Sequence, residues 1–219
     1  MNNYDLYKYI NFIVSEDAYG NTFSPSEFDN LLKVKSIEYH QALIKQYEID
    51  RIMSNSVKRF KTSVQKVVSN GSFGLPSDYG YVSSMLSRDY IGVGNTFKYR
   101  RVDIVTDEEW AMRVVSSIKM PTTKHPIAKI LNTTVSVLPL EIDRIEFNYL
   151  RKPAVPVFIL TLDANDNPTV YTSGSIVELD FEDIDKIAIA HQILALRGVN
   201  LKEPSLVQFA AYMEQKDKQ

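Results

Sequence analysis

The sequence predicts an α+β fold: long N-terminal helices forming a helical hairpin or one bent rod, a central antiparallel β region, and C-terminal helices. Three observations predict it. No Gly or Pro interrupts the chain from Ser26 to Asn70. From Leu75 the texture changes to short alternating runs separated by turn residues. After Glu178 an acidic start leads into a strongly apolar helical run. These divide the chain into a helical region over 1–70, a β-rich region with one short helix over 75–175, and C-terminal helices over 178–219 that complete the helical domain and supply a docking tail.

Residues 4–14 form a short helix with Leu6, Ile10 and Ile13 on one face, and Ala18-Tyr19-Gly20-Asn21 is a turn. Ser24 is the N-cap of the next helix, Pro25 its first residue, and Glu27 closes a capping box. Phe23 and Phe28 flank that box at the spacing of a hydrophobic staple. Phe28, Leu31, Leu32, Tyr39, Ala42, Leu43 and Tyr47 then recur with helical period. The uninterrupted stretch is too long for one ordinary globular helix, and Ser54-Asn55-Ser56 is its natural break. Beyond it Met53, Val57, Phe60, Val64 and Val67 recur at alternating spacings of four and three, which predicts a second helix over 56–69.

Asn70-Gly71-Ser72-Phe73-Gly74 ends the helical half. Tyr79–Arg88 and Thr96–Val105 read as strands around Gly92-Val93-Gly94-Asn95. Thr106 caps a short helix whose first turn carries Asp107, Glu108 and Glu109, where the helix dipole favours negative charge. Met120–Pro126 is a loop. Ala128–Leu138 and Ile142–Lys152 are strands, the second with Ile145, Phe147 and Tyr149 alternating with polar residues. Val157–Leu162, a turn at Asp163–Pro168 and Thr169–Tyr171 form a hairpin. Asp180 caps a mostly buried helix with Asp183 three residues on, and Arg197-Gly198 stops it. Pro204 opens a last helix with Leu206, Phe209, Ala210 and Met213 on one face.

Composition narrows the function. There is no cysteine, which excludes disulfides, thiolate metal sites and cysteine catalysis and fits assembly in a cytoplasm. The net charge is −2, so bulk electrostatics point to neither nucleic acid nor membrane. The N-terminus lacks a signal-peptide pattern, and no apolar run reaches the roughly 20 residues needed to span a bilayer. Thirteen Tyr and ten Phe suit either large contact surfaces or ordinary core filling.

No catalytic constellation emerges. His40, His125 and His191 lack a partner at metal-ligand spacing. His191 reads as a core or interface residue, and His125 sits in a loop with no nucleophile motif nearby. The lone Gly92-Val93-Gly94 precedes a strand instead of the helix N-terminus that phosphate cradling requires. Glu178, Asp180, Glu182, Asp183 and Asp185 are accounted for by capping and dipole effects. Glu141, Asp143 and Glu146 read as a solvated strand face. Residues 51–68 carry Arg51, Lys58, Arg59, Lys61 and Lys66 and no acid. On a helix they form a basic stripe, either solvated or facing an acidic partner or passing DNA.

The segments Leu75-Pro76-Ser77-Asp78-Tyr79, Asn148-Tyr149-Leu150-Arg151-Lys152-Pro153 and Glu178-Leu179-Asp180-Phe181-Glu182-Asp183, in this order after a helical N-terminal half, resemble the neck ring (head–tail adaptor or connector) proteins of short-tailed bacteriophages, the crAss-like phages included. The similarity spans roughly residues 20–215, and its motifs are short. It implies a non-enzymatic virion protein without cofactor or metal, assembled in the host cytoplasm. Such a protein forms a homo-oligomeric ring, usually of twelve copies, below the portal protein. The ring extends the DNA channel, which DNA passes without sequence recognition, and receives the next tail or ring protein. No membrane partner is implied. Under this reading Lys58, Arg59, Lys61 and Lys66 are the expected channel or partner surface, and Leu206, Phe209, Ala210 and Met213 the expected portal-docking face. The rival readings are another tail or virion component, an uncharacterised hydrolase or nuclease, and a host interaction module.

Overall fold

The computed structural model describes residues 1–15, 22–49, 57–90, 97–162, 168–170 and 177–196. The fold is α+β. The turn at 18–21, the break at 54–56 with Arg51 and Met53, the turns at 92–95 and 163–167, the stop at 197–198 and the whole 204–219 helix lie outside the described residues. The chain divides into two compact units, residues 1–45 with 153–219, and residues 46–152.

The first unit is helical. α1 (Asn3–Ser15) buries Leu6, Ile10 and Val14. α2 (Pro25–Ile49) starts as the sequence predicts. The Glu27 carboxylate accepts from the Ser24 amide at 3.0 Å, and the Ser24 hydroxyl accepts from the Glu27 amide at 3.3 Å. Phe23 and Phe28, on either side of this box, are both buried. Tyr7, Phe28 and Phe158 form a ring triad with centroids 5.1–5.3 Å apart, each pair contributing about 0.5–1.5 kcal/mol beyond its buried area. β9 (Leu160–Leu162) and β10 (Pro168–Val170) make the expected hairpin.

α4 (Asp183–Leu196) begins two residues later than the sequence predicts. Asp180 is not its cap: the carbonyl of Glu182 accepts the first helical bond, from the Lys186 amide at 3.0 Å. The reason is packing, because Leu179 and Phe181 are both buried ahead of the helix. α4 is also less buried than predicted. Ile189, Ala190, Ile193 and Leu194 face the core, whereas Ile184 and Ile187 are exposed.

The second unit corrects the largest expectation. Of the helix expected over 56–69, the described residues 57–69 form no α-helix, so neither a helical hairpin nor a bent rod is formed by them. Lys58–Phe60 is a single 3₁₀ turn, and β1 (Lys61–Val67) follows it. β1 pairs antiparallel with β8 (Arg144–Arg151) from Lys61↔Leu150 to Val67↔Arg144. Thr62, Val64 and Val67 are β-branched and suit a pleated surface. Val57 and Phe60 are buried, but Val67 is 71% exposed, so the spacing of four and three does not describe one buried face.

Two sheets result, β1-β8-β3-β4 and β2-β7-β6-β5. β3 is Tyr79–Tyr90 and β2 is Ser72–Gly74. The expected single strand over 96–105 is two, β4 (Phe97–Arg101) and β5 (Asp103–Ile104), which belong to different sheets. Buried Val102 is the switch, its amide bonded to the Met85 carbonyl at 2.9 Å. Likewise Ala128–Leu138 is a hairpin, β6 (Ile127–Ile130) and β7 (Thr134–Leu138). β1 passes to β2 through Asn70 and Gly71, both at positive φ (50° and 68°), the conformation that Asn-Gly adopts most readily. One core fills the space between the sheets, with Met85, Ala128, Val135, Phe147 and Tyr149 from their strands and Val68 and Val102 at the corners.

Candidate interaction surface

The first two segments of the phage-like pattern converge in the second unit. Tyr79 pairs with Arg151 across β3 and β8. The Tyr149 hydroxyl donates to Asp78 Oδ1 at 2.8 Å, and the Lys152 amide donates to the Asp78 carbonyl at 2.7 Å. Burial first, and then the bond to Asp78, push the Tyr149 hydroxyl up to about 12. The Arg151 guanidinium lies over the Phe60 ring at 5.6 Å. Gly80 sits where a Cβ would come within 2.8 Å of the Leu150 carbonyl, which is why the bulge beside it carries no side chain. These residues build a sheet junction.

The third segment has a structural duty in the first unit. Glu178 accepts from the Asn3 amide at 2.7 Å, and Asp183 accepts from the N-terminal ammonium at 3.0 Å. That ammonium, by hydrogen bond first and charge second, holds the Asp183 carboxyl below its usual range. Buried Asn3 is satisfied on both sides, donating to the Val177 carbonyl and accepting from the Leu179 amide. Asp185 accepts from Tyr39, whose hydroxyl burial pushes up to about 12. Sequence reading assigned these acids to capping and missed the N-terminal clamp, because its donors lie more than 170 residues away.

The basic residues do not form a helical stripe. Lys58 and Arg59 are exposed on the 3₁₀ turn and Lys61 is exposed at the start of β1, whereas Lys66 points to the opposite face of the strand and is half-buried. Lys61 also lies over the Tyr47 ring at 5.6 Å. Arg51 lies outside the described residues, as do Leu206, Phe209, Ala210 and Met213. His40 is buried and His125 is exposed. His191 is half-buried, with Nε2 unpartnered among the described residues, and burial lowers its pKa. Glu141 and Asp143 are exposed as expected but lie in the turn before β8, not along a strand.

A surface the sequence reading did not single out lies on α3 (Asp107–Val115). Thr106 caps it through the Glu109 amide at 3.3 Å. Polar and cationic contacts tie it to β5 and β6: Asp107 to Lys129 at 3.2 Å, Arg113 to Asp103 at 3.5 Å, and Lys129 over the Trp110 ring at 5.5 Å. Arg113 also grips Glu109 at 2.7 Å, a bond that raises its pKa. None of the helix's residues is buried. Met112, Val115 (84%), Ile118 (93%) and Met120 stand exposed, beside an apolar recess lined by Val114, Pro121, Leu138, Pro139 and Leu140. The signal was present in the sequence as apolar residues on a helix with an acidic start, but burial and exposure look alike there.

Among the described residues no group of three His, Asp or Glu could hold a metal ion, and no helix is long and apolar enough to cross a membrane. No family model matches this chain, and no curated protein matches it either.

Proposed function

We propose that this protein is a head–tail adaptor of a short-tailed bacteriophage: a non-enzymatic virion protein that forms a ring below the portal, extends the DNA channel and presents a platform for the next tail component. The observation that carries the reading is the ordered set of three segments at 75–79, 148–153 and 178–183 within an α+β chain. The exposed apolar face of α3 supports it, because contiguous apolar surface of this kind marks association sites. In this reading Lys58, Arg59 and Lys61 present a charged partner surface, and Leu206, Phe209, Ala210 and Met213 dock on the portal.

Electron microscopy of the protein mixed with its cognate portal, with mass photometry on the same sample, tests the proposal. A symmetric ring of about twelve copies stacked on the portal is the expected result. Deletion of 204–219 should abolish portal binding. No complex under assembly conditions sinks the adaptor reading.

A further inference from the structure

We infer that the outward face of α4 is the docking site of this chain's own segment 204–219, which packs on it in the free subunit as the second helix of an antiparallel hairpin. The hairpin stands on α4 and the sequence; only its consequence for the portal rests on the adaptor reading.

α4 is apolar on two opposite sides. From Ile187 to Leu196 it carries no charged residue. Ile189, Ala190, Ile193 and Leu194 face the core. The other side presents Ile184 (80% exposed), Ile187, Ala188, His191 and Ala195, each exposed or half-buried. At helical spacing these five form one stripe. A helix that is apolar all round is a covered helix. His191 stands in the middle of the stripe with its Nε2 unpartnered among the described residues.

The chain carries a matching cover immediately beyond α4. Residues 197–219 lie outside the described residues and belong to the same unit as α4. Their sequence places Leu206, Phe209, Ala210 and Met213 on one helical face. The connector 197–203 falls within the roughly two to eight residues that join neighbouring helices. So short a tether holds the segment at an effective concentration of about millimolar, which a second copy or a separate partner has to exceed. The register matches too. In an antiparallel pair each step back along α4 is a step forward along its partner. Ala195 then meets Leu206, His191 meets Ala210, and Ala188 meets Met213. Each pair sets a large side chain against a small one, as interdigitating layers require. Alone, a helix of this length is marginal in water, and α4 supplies the packing it lacks. The same four apolar residues are assigned to the portal above, so α4 and the portal compete for them.

The chain contains no cysteine, which allows a direct test in the full-length protein. A188C/M213C joins facing positions, whereas A188C/L206C is about 10 Å out of register. In a glutathione buffer the first should close an intrachain disulfide at least about tenfold faster than the second. Hydrogen exchange then reads the amides of 206–213. They should be protected in the native chain and exchange about tenfold or more faster in I184D/I187D, which alters only exposed α4 side chains. Equal closure rates, disulfides only between chains, or unprotected 206–213 amides in the native chain overturn the inference. Oxidised A188C/M213C should lose portal binding and regain it on reduction. If the oxidised protein still binds the portal, the hairpin stands and the assignment of 204–219 to portal docking falls. If neither form binds, the hairpin stands and the adaptor reading falls.

Discussion

At the scale of single residues, Gly71 is the most constrained position. Its φ of +68° is coupled to close packing: a Cβ there would lie 2.5 Å from Leu140 Cδ2 and 3.1 Å from the Val137 carbonyl oxygen. Its own carbonyl accepts from the Val137 amide at 2.7 Å. Gly71→Ala is expected to cost about 2 kcal/mol in urea unfolding, from a positive φ and a contact that can relax only by moving Leu140. His191 supplies a pH dependence. Burial lowers its pKa from the ordinary 6.5, so the unfolded chain binds a proton that the folded chain resists. Stability attributable to His191 is therefore full above pH 6.5 and falls as the pH drops below it. Thermal melts between pH 7.5 and 5 should show this decline, and His191→Gln should flatten it. An unchanged slope in the variant would assign the decline to carboxylates such as Asp183.

At the scale of elements, α2 and β1 show opposite outcomes. The start of α2 is local: Ser24 and Glu27 satisfy each other's amides. Ser24→Ala should therefore cost about 1 kcal/mol, measured by chemical denaturation. β1 could not be read this way. Val57, Phe60 and Val64 fit a helical seam, yet Val67 breaks it by facing solvent. What decides for a strand is the seven-residue register with β8, whose Phe147 lies opposite Val64. A hydrophobic period cannot register a partner eighty residues away. One local signal did point to the strand. Asn70-Gly71 is a strong turn pair, and the structure uses it to pass the chain from β1 to β2. The split of 96–105 into β4 and β5 was invisible for a related reason: buried Val102 looks like any strand residue until two sheets compete for the segment.

At the scale of the whole molecule, the two units differ in how the chain builds them. Residues 46–152 are continuous, and their core cluster lies wholly within that span. The other unit is assembled from 1–45 and 153–219, and its N-terminal clamp joins Met1 and Asn3 to 177–186. A fragment of residues 46–152 is accordingly expected to unfold cooperatively when expressed alone, whereas residues 1–45 alone should lack a cooperative melt. Circular dichroism of both fragments decides this. A 46–152 fragment without a transition would mean that its core is not self-sufficient.

What the sequence determined by itself is what few neighbouring residues encode. The capping box at Ser24, the Thr106 cap, the alternation of β8 and the α+β class all rest on interactions within about four residues or on a repeating period. The tertiary structure alone decided whether 61–67 is helix or strand, which sheet each half of 97–104 joins, and which apolar residues are core. Those outcomes depend on strand pairing and desolvation between distant segments. For that reason α3, apolar in sequence, could be recognised as exposed surface only once its contacts with β5 and β6 proved to be ionic.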